Sequence, residues 1–253
     1  MTFIEKSCLL LRFRLWTRIR TNRHPSFHLS HSQFGEDMLV RSLTSDIKAG
    51  FYVDIGAHHP VYFSNTYHFY LKGWNGINID VSNSTIEQFR ALRPRDISLQ
   101  ICLSDVEGEE VEYFNFEQSA YNTIDPEMAQ RALKQGARLI AKTLVKTRTL
   151  ASCLDEYLPP GKGIDFLSID VEGLDARILL GQKWDVIAPR VVAFEMHGRS
   201  PLDIARSPVM RYLDTFGYQL AGLCGPTVIV ECVKGKRVEA QTPFGREGQE
   251  SAG

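Results

Sequence analysis

Acidic side chains stand at or beside the ends of five short apolar runs in this sequence: Asp54, Asp80, Asp105, Asp170 and Glu195. Carboxylates bind hydroxyls and amines through charge-assisted hydrogen bonds, and they also serve as general bases and as ligands for divalent cations. Because turns favour Asp, chance would put an acid at about one or two of these ends. Acids at all five ends predict a ligand-binding rim.

The runs that carry these acids are typical of strands in an α/β domain. Each is short, rich in β-branched and aromatic residues, and followed by a turn or a helix-like segment. The predicted strands are residues 51–55, 76–80, 97–103, 164–170 and 190–195, with a hairpin of residues 218–221 and 227–230; the predicted helices are residues 31–43, 66–73, 84–92, 151–157, 174–180 and 208–216. The alternation predicts a doubly wound parallel sheet with helices on both faces, and such sheets bind ligands at the carboxyl ends of their strands.

Residues 117–147 interrupt the alternation, and we interpret them as an insertion over the edge or mouth of the sheet. A strand at residues 111–116 precedes the insertion, and a short edge strand at residues 145–150 ends it. Within it, Tyr121, Asn122 and Thr123 suit a lid or the wall of an acceptor pocket. They suit a surface turn equally well, because Asn and Thr are common in turns.

The 253 residues divide into three parts. Residues 1–30 hold six basic groups and one acid, and their apolar run is too short to span a bilayer. They form either an amphipathic segment that contacts anionic lipid or a partner, or a solvated helix packed on the domain. Residues 31–233 form one globular domain. Residues 234–253 are low in apolar residues and are predicted to be disordered.

The composition excludes several classes of function. The chain is 43% hydrophobic and 23% charged, as globular proteins are, and its net charge of −1 gives no case for nucleic-acid binding. Its five cysteines are odd in number and form no Cys-x-x-Cys pair. They predict buried thiols in a reducing compartment, and therefore a cytoplasmic protein.

The first turn of the predicted sheet distinguishes between two ligands. Residues 56–60 (GAHHP) lack the second and third glycines of a dinucleotide-binding loop. S-adenosylmethionine has no phosphate and needs fewer glycines there. Its ribose hydroxyls suit the carboxylate of Asp80, its adenine amine suits Asp105, and its cationic ammonium and sulfonium suit an acidic rim. The rim therefore favours S-adenosylmethionine.

Several blocks of the chain, in order, resemble the FkbM-type S-adenosylmethionine-dependent methyltransferases. They are residues 32–37 (SQFGED), 50–60 (GFYVDIGAHHP), 64–66 (SNT), 73–80 (GWNGINID), 103–105 (LSD) and 164–173 (IDFLSIDVEG). The resemblance covers about residues 32–198. The first loop departs from the commoner Gly-Ala-Asn-x-Gly form, because His58, His59 and Pro60 follow Ala57.

The resemblance implies a class I methyltransferase-like (Rossmann-like) fold with a seven-stranded sheet whose last strand is antiparallel. It implies that Asp54 and Gly56 face the methionine part of the cofactor, Asp80 its ribose and Asp105 its adenine. The cofactor-binding set that it implies is Asp54, Gly56, Ala57, His58, Asn65, Asp80, Ser104, Asp105 and Asp170. Family members mostly methylate hydroxyl oxygens, which implies a sugar, glycan or other small-molecule acceptor.

An alcohol oxygen that attacks the sulfonium methyl must lose its proton, so a general base is expected. Asp170, Glu172, Glu195 and His197 are the candidates, and His197 is the first choice because histidine titrates nearest neutral pH. His197 could instead be a histidine held by Glu195 or Asp170 without touching the acceptor. Asp170, Glu172 and His197 could also bind a divalent cation, which the sequence favours less.

Two other functions stay open. A nucleotide-sugar glycosyltransferase would use Asp170 and Glu172 as a metal-binding acid pair, although nothing basic closely flanks them to hold a diphosphate. A non-catalytic domain would keep the cofactor-binding fold without turnover. An oxidoreductase linked to nicotinamide dinucleotide is disfavoured by the missing glycines.

Overall fold

The computed structural model describes residues 28–171, 173–182, 184, 187–196 and 200–233. Their central feature is a seven-stranded sheet in the order β3-β2-β1-β7-β8-β10-β9. The strands are β1 (Phe51–Ile55), β2 (Asn75–Asp80), β3 (Ile97–Gln100), β4 (Cys102–Leu103), β5 (Glu110–Phe116), β6 (Leu139–Arg148), β7 (Phe166–Ile169), β8 (Val191–Glu195), β9 (Tyr218–Cys224) and β10 (Thr227–Cys232). The predicted basic segment up to residue 27 and the predicted tail from residue 234 lie outside the described residues.

Helices follow most of the sheet strands and bury their apolar faces against them. They are α1 (Glu36–Leu43), α2 (Tyr67–Leu71), α3 (Asn83–Leu92), α4 (Pro126–Lys134), α5 (Leu150–Tyr157), α6 (Asp175–Leu180), α7 (Pro201–Ala205) and α8 (Pro208–Thr215). Side-chain caps fix several starting points. For α3 the cap is Ser82, whose hydroxyl accepts from the backbone N–H of Thr85 at 3.3 Å.

Strand β1 shows why the sheet is covered on both faces. It pairs in parallel with β2 on one side and with β7 on the other, and all five of its residues are buried. Phe51, Val53 and Ile55 belong to one hydrophobic cluster, whereas Tyr52 belongs to a second. Since successive side chains point to opposite faces, two cores sandwich the sheet.

The last strand runs against its neighbours. Strand β10 lies between β8 and β9 and is antiparallel to both, while β1, β2, β3, β7 and β8 are parallel. This confirms the predicted seven-stranded α/β sheet with a reversed final strand.

Two strand predictions were wrong in the same region. The third strand leaves the main sheet after Gln100, and β4 joins β6 and β5 in a separate three-stranded sheet of order β4-β6-β5. The predicted edge strand at residues 145–150 is the end of the ten-residue β6, which pairs with both of its neighbours. Backbone pairing across the insertion decides this, since no glycine or proline interrupts residues 97–103 and the sequence gives no sign of a change of sheet.

The helix predicted from residue 31 begins only at Glu36. Asp37 is fully buried and accepts hydrogen bonds from the His31 backbone N–H at 2.7 Å and from the hydroxyls of Ser30 and Ser32 at 2.7 and 2.8 Å. These bonds hold residues 30–35 in a turn. Gly35, with φ of 90°, then redirects the chain into the helix.

Candidate functional site

The carboxyl ends of the parallel strands open onto a cavity of about 640 Å³. Its floor contains the ends of β1, β2, β7 and β8. One wall comes from the second sheet and residues 119–124, and another from Gln33 and Phe34 ahead of α1. Of the residues expected at the site, those lining it are Gly56, His58, Asp80, Tyr121, Asn122, Thr123, Asp170 and Glu195.

Asp80 ends β2 on the wall of this cavity. Its Oδ2 accepts from the backbone N–H of His58 at 3.1 Å, and its Oδ1 accepts from that of Ser82 at 2.8 Å. Burial raises the pKa of this carboxyl, and the two N–H donors oppose that rise. A carboxylate oxygen can accept more than one hydrogen bond, so each oxygen keeps acceptor capacity for a ligand hydroxyl.

The turn after β1 brings two strand ends into close contact. Gly56 has φ of 70°, and a Cβ added to it would lie 1.7 Å from the carbonyl oxygen of Asp170 after β7. The backbone N–H groups of Gly56 and Ala57 both donate to the Ile79 carbonyl, at 2.9 and 3.1 Å. Only glycine fits this position, because a side chain would collide with backbone.

His58 stands where the family more often has Asn, and the backbone accounts for the exchange. Its φ is 52°, in the left-handed region that Asn, Asp and His enter more readily than other non-glycine residues. His59 instead stabilises the turn that follows, since its Nδ1 accepts from the backbone N–H groups of Val61 and Tyr62, both at 3.0 Å. Burial, with smaller contributions from His58 and Arg93, lowers the pKa of His59 to about 4.

Asp54 lies beneath the cavity and not on its surface. It is 4% exposed, and its Oδ2 accepts from the Thr66 hydroxyl at 2.5 Å. Burial raises its pKa to about 6, although the bond from Thr66 and the charge of Arg93 act in the opposite sense. In this structure Asp54 organises the loop that follows β1.

Arg93 holds that loop from behind, and it was not expected from the sequence. It is fully buried, and its guanidinium donates to the Pro60 carbonyl, the Ser64 hydroxyl and the Thr66 hydroxyl at 2.7, 2.7 and 2.8 Å. Asp96 lies 3.9 Å from it. The sequence offered no signal, because an arginine followed by proline at a helix end usually faces solvent.

Besides Asp54, four other residues expected to bind the cofactor lie off the cavity surface. Ala57 is buried, and the Asn65 amide donates to the Ser168 hydroxyl at 3.1 Å. Ser104 donates to Asp105, whose carboxylate pairs with Arg177 at 2.7 Å. Partial burial acts to raise the pKa of Asp105, but the bonds from Arg177 and Ser104 outweigh it and leave the pKa lowered. Where β3 ends, Ile101 and Cys102 line the cavity instead.

The insertion contributes a wall to the cavity. Residues 119–121 form a short 3-10 helix, and Thr123 bridges back to Phe114 through backbone bonds of 2.9 and 3.3 Å. The side-chain Oδ1 of Asn122 accepts from the Phe116 backbone N–H at 2.7 Å. Tyr113 of β5 also lines the cavity; burial and the charge of Asp80 raise the pKa of its phenol, and a bond from Asn122 opposes this. The alternation of β5 was recognised in the sequence, but the face that meets the cavity was not.

A third acid, Asp175, contacts the backbone at the end of β8, and the sequence did not predict it. Asp170 and Glu195 line the cavity, and Asp175, at the start of α6, accepts from the Glu195 backbone N–H at 3.1 Å. Burial raises the pKa of Asp175 to about 7; the bond from the Glu195 backbone N–H lowers it, and the negative charge of Glu195 raises it further. Glu172 and His197 lie outside the described residues, and their proposed roles stay predictions.

Neither a metal cluster nor a membrane span occurs in the described part of the chain. Among these residues, which leave out Glu172 and His197, no group of three His, Cys, Asp or Glu side chains could hold a metal ion. Every helix formed by the described residues is too short or too polar to cross a membrane.

The strand order, the reversed final strand and the carboxylate of Asp80 beside the glycine turn define a class I methyltransferase-like α/β domain. The chain belongs to the FkbM methyltransferase domain family, whose sequence model matches residues 54–220. None of the curated proteins compared with it matches. Among solved structures it is similar to a TehB-like SAM-dependent methyltransferase from Corynebacterium glutamicum, at 9% identity and a TM-score of 0.40, over 90% of this chain and 100% of that chain. So distant a likeness adds nothing to what the strand order establishes.

Proposed function

We propose that this protein transfers the methyl group of S-adenosylmethionine to a hydroxyl oxygen of a sugar or another small-molecule acceptor, in the cytoplasm. The observation that carries the proposal is the position of Asp80. Its carboxylate lines the cavity, is held by two backbone N–H groups and keeps acceptor capacity for two vicinal hydroxyls. A ribose presents such a pair of hydroxyls.

The rest of the cavity supports the same ligand. Asp170 and Glu195 also line the cavity, and their carboxylates would stabilise the cationic ammonium and sulfonium. Val81, Ile101, Cys102 and Leu103 provide apolar contact for an adenine ring beyond the ribose. Gly56 lines the cavity directly after β1, where its backbone would face the methionine part of the cofactor.

Methyl transfer to oxygen is an in-line displacement, and the enzyme contributes by positioning and by removing a proton. The acceptor C–O–H oxygen forms a bond to the methyl carbon as the carbon–sulfur bond breaks, leaving a neutral thioether. The hydroxyl proton passes to a carboxylate or imidazole. Glu195 and Asp170 line the cavity and can take this role, and His197 stays the sequence's first candidate.

Calorimetric titration of the full chain tests the cofactor. We expect S-adenosylmethionine and S-adenosylhomocysteine to bind at micromolar concentration, with NADH and a UDP-sugar showing no binding. Binding of the UDP-sugar alone would favour glycosyl transfer instead. Once an acceptor is found, turnover of Glu195→Gln and His197→Ala is measured with each protein saturated with S-adenosylmethionine, and the variant with the lower turnover at saturation identifies the base.

A further inference from the structure

A second cavity, of about 500 Å³, adjoins the first. It lies between residues 29–32 and the loop of residues 58–63, and it shares His58 and Phe63 with the first cavity. These two residues are the only non-glycine residues with positive φ in the described ranges, each at 52°. The backbone is therefore strained where the cavities meet, and such strain concentrates at functional sites.

The loop carries two aromatic side chains that are exposed to solvent. Phe63 is 63% exposed and Tyr62 is 48% exposed, and the Tyr62 ring lies 4.8 Å from that of His59. A phenylalanine in the left-handed region is disfavoured, and here it gains no core burial in return. Packing inside the domain does not explain this arrangement, whereas contact with a ligand would.

The loop is rigid although its rings are exposed. Arg93 holds the Pro60 carbonyl and the Ser64 hydroxyl, each at 2.7 Å, and the Ser64 backbone N–H donates to the His31 carbonyl at 3.0 Å. His59 ties the turn together through two backbone bonds to its Nδ1. Rings held in place before binding lose little entropy when a ligand packs against them.

His59 in the second cavity also provides a hydrogen-bond donor. Because Nδ1 of His59 accepts two hydrogen bonds, its neutral ring carries the proton on Nε2, which can donate to a ligand oxygen. Its lowered pKa of about 4 keeps the ring neutral near pH 7. Exposed aromatic faces beside a neutral donor suit a ligand with an apolar C–H face and hydroxyl oxygens, which is the chemistry of a pyranose ring.

We propose that this second cavity is the acceptor subsite, in which Tyr62 and Phe63 pack against an uncharged pyranose ring whose hydroxyl reaches the first cavity past His58. The proposal rests on the methyltransferase function proposed above, because it places the acceptor next to the cofactor. Phe63 and Tyr62 would then be specificity-determining residues.

Saturation-transfer NMR on the full chain with S-adenosylhomocysteine bound tests this, with methyl glycosides of mannose, galactose, rhamnose and fucose as probes. Phe63→Gly removes the ring at a φ that glycine adopts freely, so the fold is kept. Tyr62→Ala is the second variant. Leu71→Ala is the matched control, because Leu71 is 48% exposed like Tyr62 and lines neither cavity.

We expect at least one glycoside to bind wild type and Leu71→Ala alike, and to bind Phe63→Gly and Tyr62→Ala about two- to tenfold more weakly. S-adenosylhomocysteine affinity should be equal in wild type, Tyr62→Ala and Leu71→Ala, and the glycosides are titrated into each protein saturated with S-adenosylhomocysteine because Phe63 also lines the first cavity. Unchanged glycoside binding in both ring variants would overturn the subsite, and no glycoside binding to wild type would overturn the pyranose assignment. Failure of wild type to bind S-adenosylhomocysteine would instead overturn the proposed function itself.

Discussion

Gly56 and Asp170 meet so closely that a Cβ on the glycine would lie 1.7 Å from the aspartate carbonyl oxygen. The contact joins the ends of β1 and β7, on the floor of the first cavity. It explains why the first turn keeps one glycine although the others of a dinucleotide loop are missing. The carbonyl of Asp170, rather than a phosphate, fills the space that this glycine leaves.

Gly56→Ala should therefore destabilise the protein more than the backbone angle alone requires. The left-handed φ costs a non-glycine residue about 1–2 kcal/mol, and the collision with backbone adds roughly 1–3 kcal/mol. Gly108→Ala is the control, because Gly108 has φ of 76° with nothing within 4 Å of an added Cβ. Urea unfolding measures both variants. Equal losses would show that the contact with Asp170 does not constrain the turn.

Asp80→Ala should weaken binding of S-adenosylmethionine by roughly 1.5–3 kcal/mol, the range for hydrogen bonds to a charged group. Calorimetry measures the change, and Glu87→Ala on the exposed face of α3 is the control that should bind like wild type. A folded Asp80→Ala protein with unchanged affinity would contradict the ribose assignment.

Arg93→Met should cost roughly 3–5 kcal/mol of stability, because the substitution leaves the Ser64 and Thr66 hydroxyls and the Asp96 carboxylate without their cation. Arg90→Met, three residues earlier on the exposed face, should change stability by less than about 0.5 kcal/mol. Denaturant unfolding compares the two. If Arg93→Met were as stable as Arg90→Met, the loop after β1 would not depend on the buried guanidinium.

Asp175→Asn should change how stability depends on pH. The folded pKa of about 7 lies above the unfolded value near 4, so the protonated form favours folding. This contribution is fully present below about pH 4 and is lost as pH rises through 7. Between pH 5 and pH 8 wild type should therefore lose roughly 2–3 kcal/mol of unfolding free energy that the variant does not lose. Urea unfolding at each pH measures this difference. Parallel pH profiles would show that Asp175 titrates normally.

The elements with strong local patterns were predicted from sequence. Strand β1 was identified from four apolar, β-forming residues and Asp54 between two glycines, and the reversed hairpin from two apolar runs around a glycine-proline turn. The Asp80 carboxylate was placed at the rim because parallel strands end at one edge. The prediction for residues 97–103 was wrong, because this single strand-like segment contributes to two sheets.

The sequence by itself determined the α/β class, the edge of the sheet at which the cavity opens and the acids that stand at the strand ends, because these follow from short-range periodicity and from where strands end. The tertiary structure alone decided which acids line the cavity and which form hydrogen bonds or ion pairs within the domain instead. Asp105 pairs with Arg177, and Asp54 is buried under Thr66 and Arg93. Those partners lie far along the chain or on other elements, so only packing brings them together.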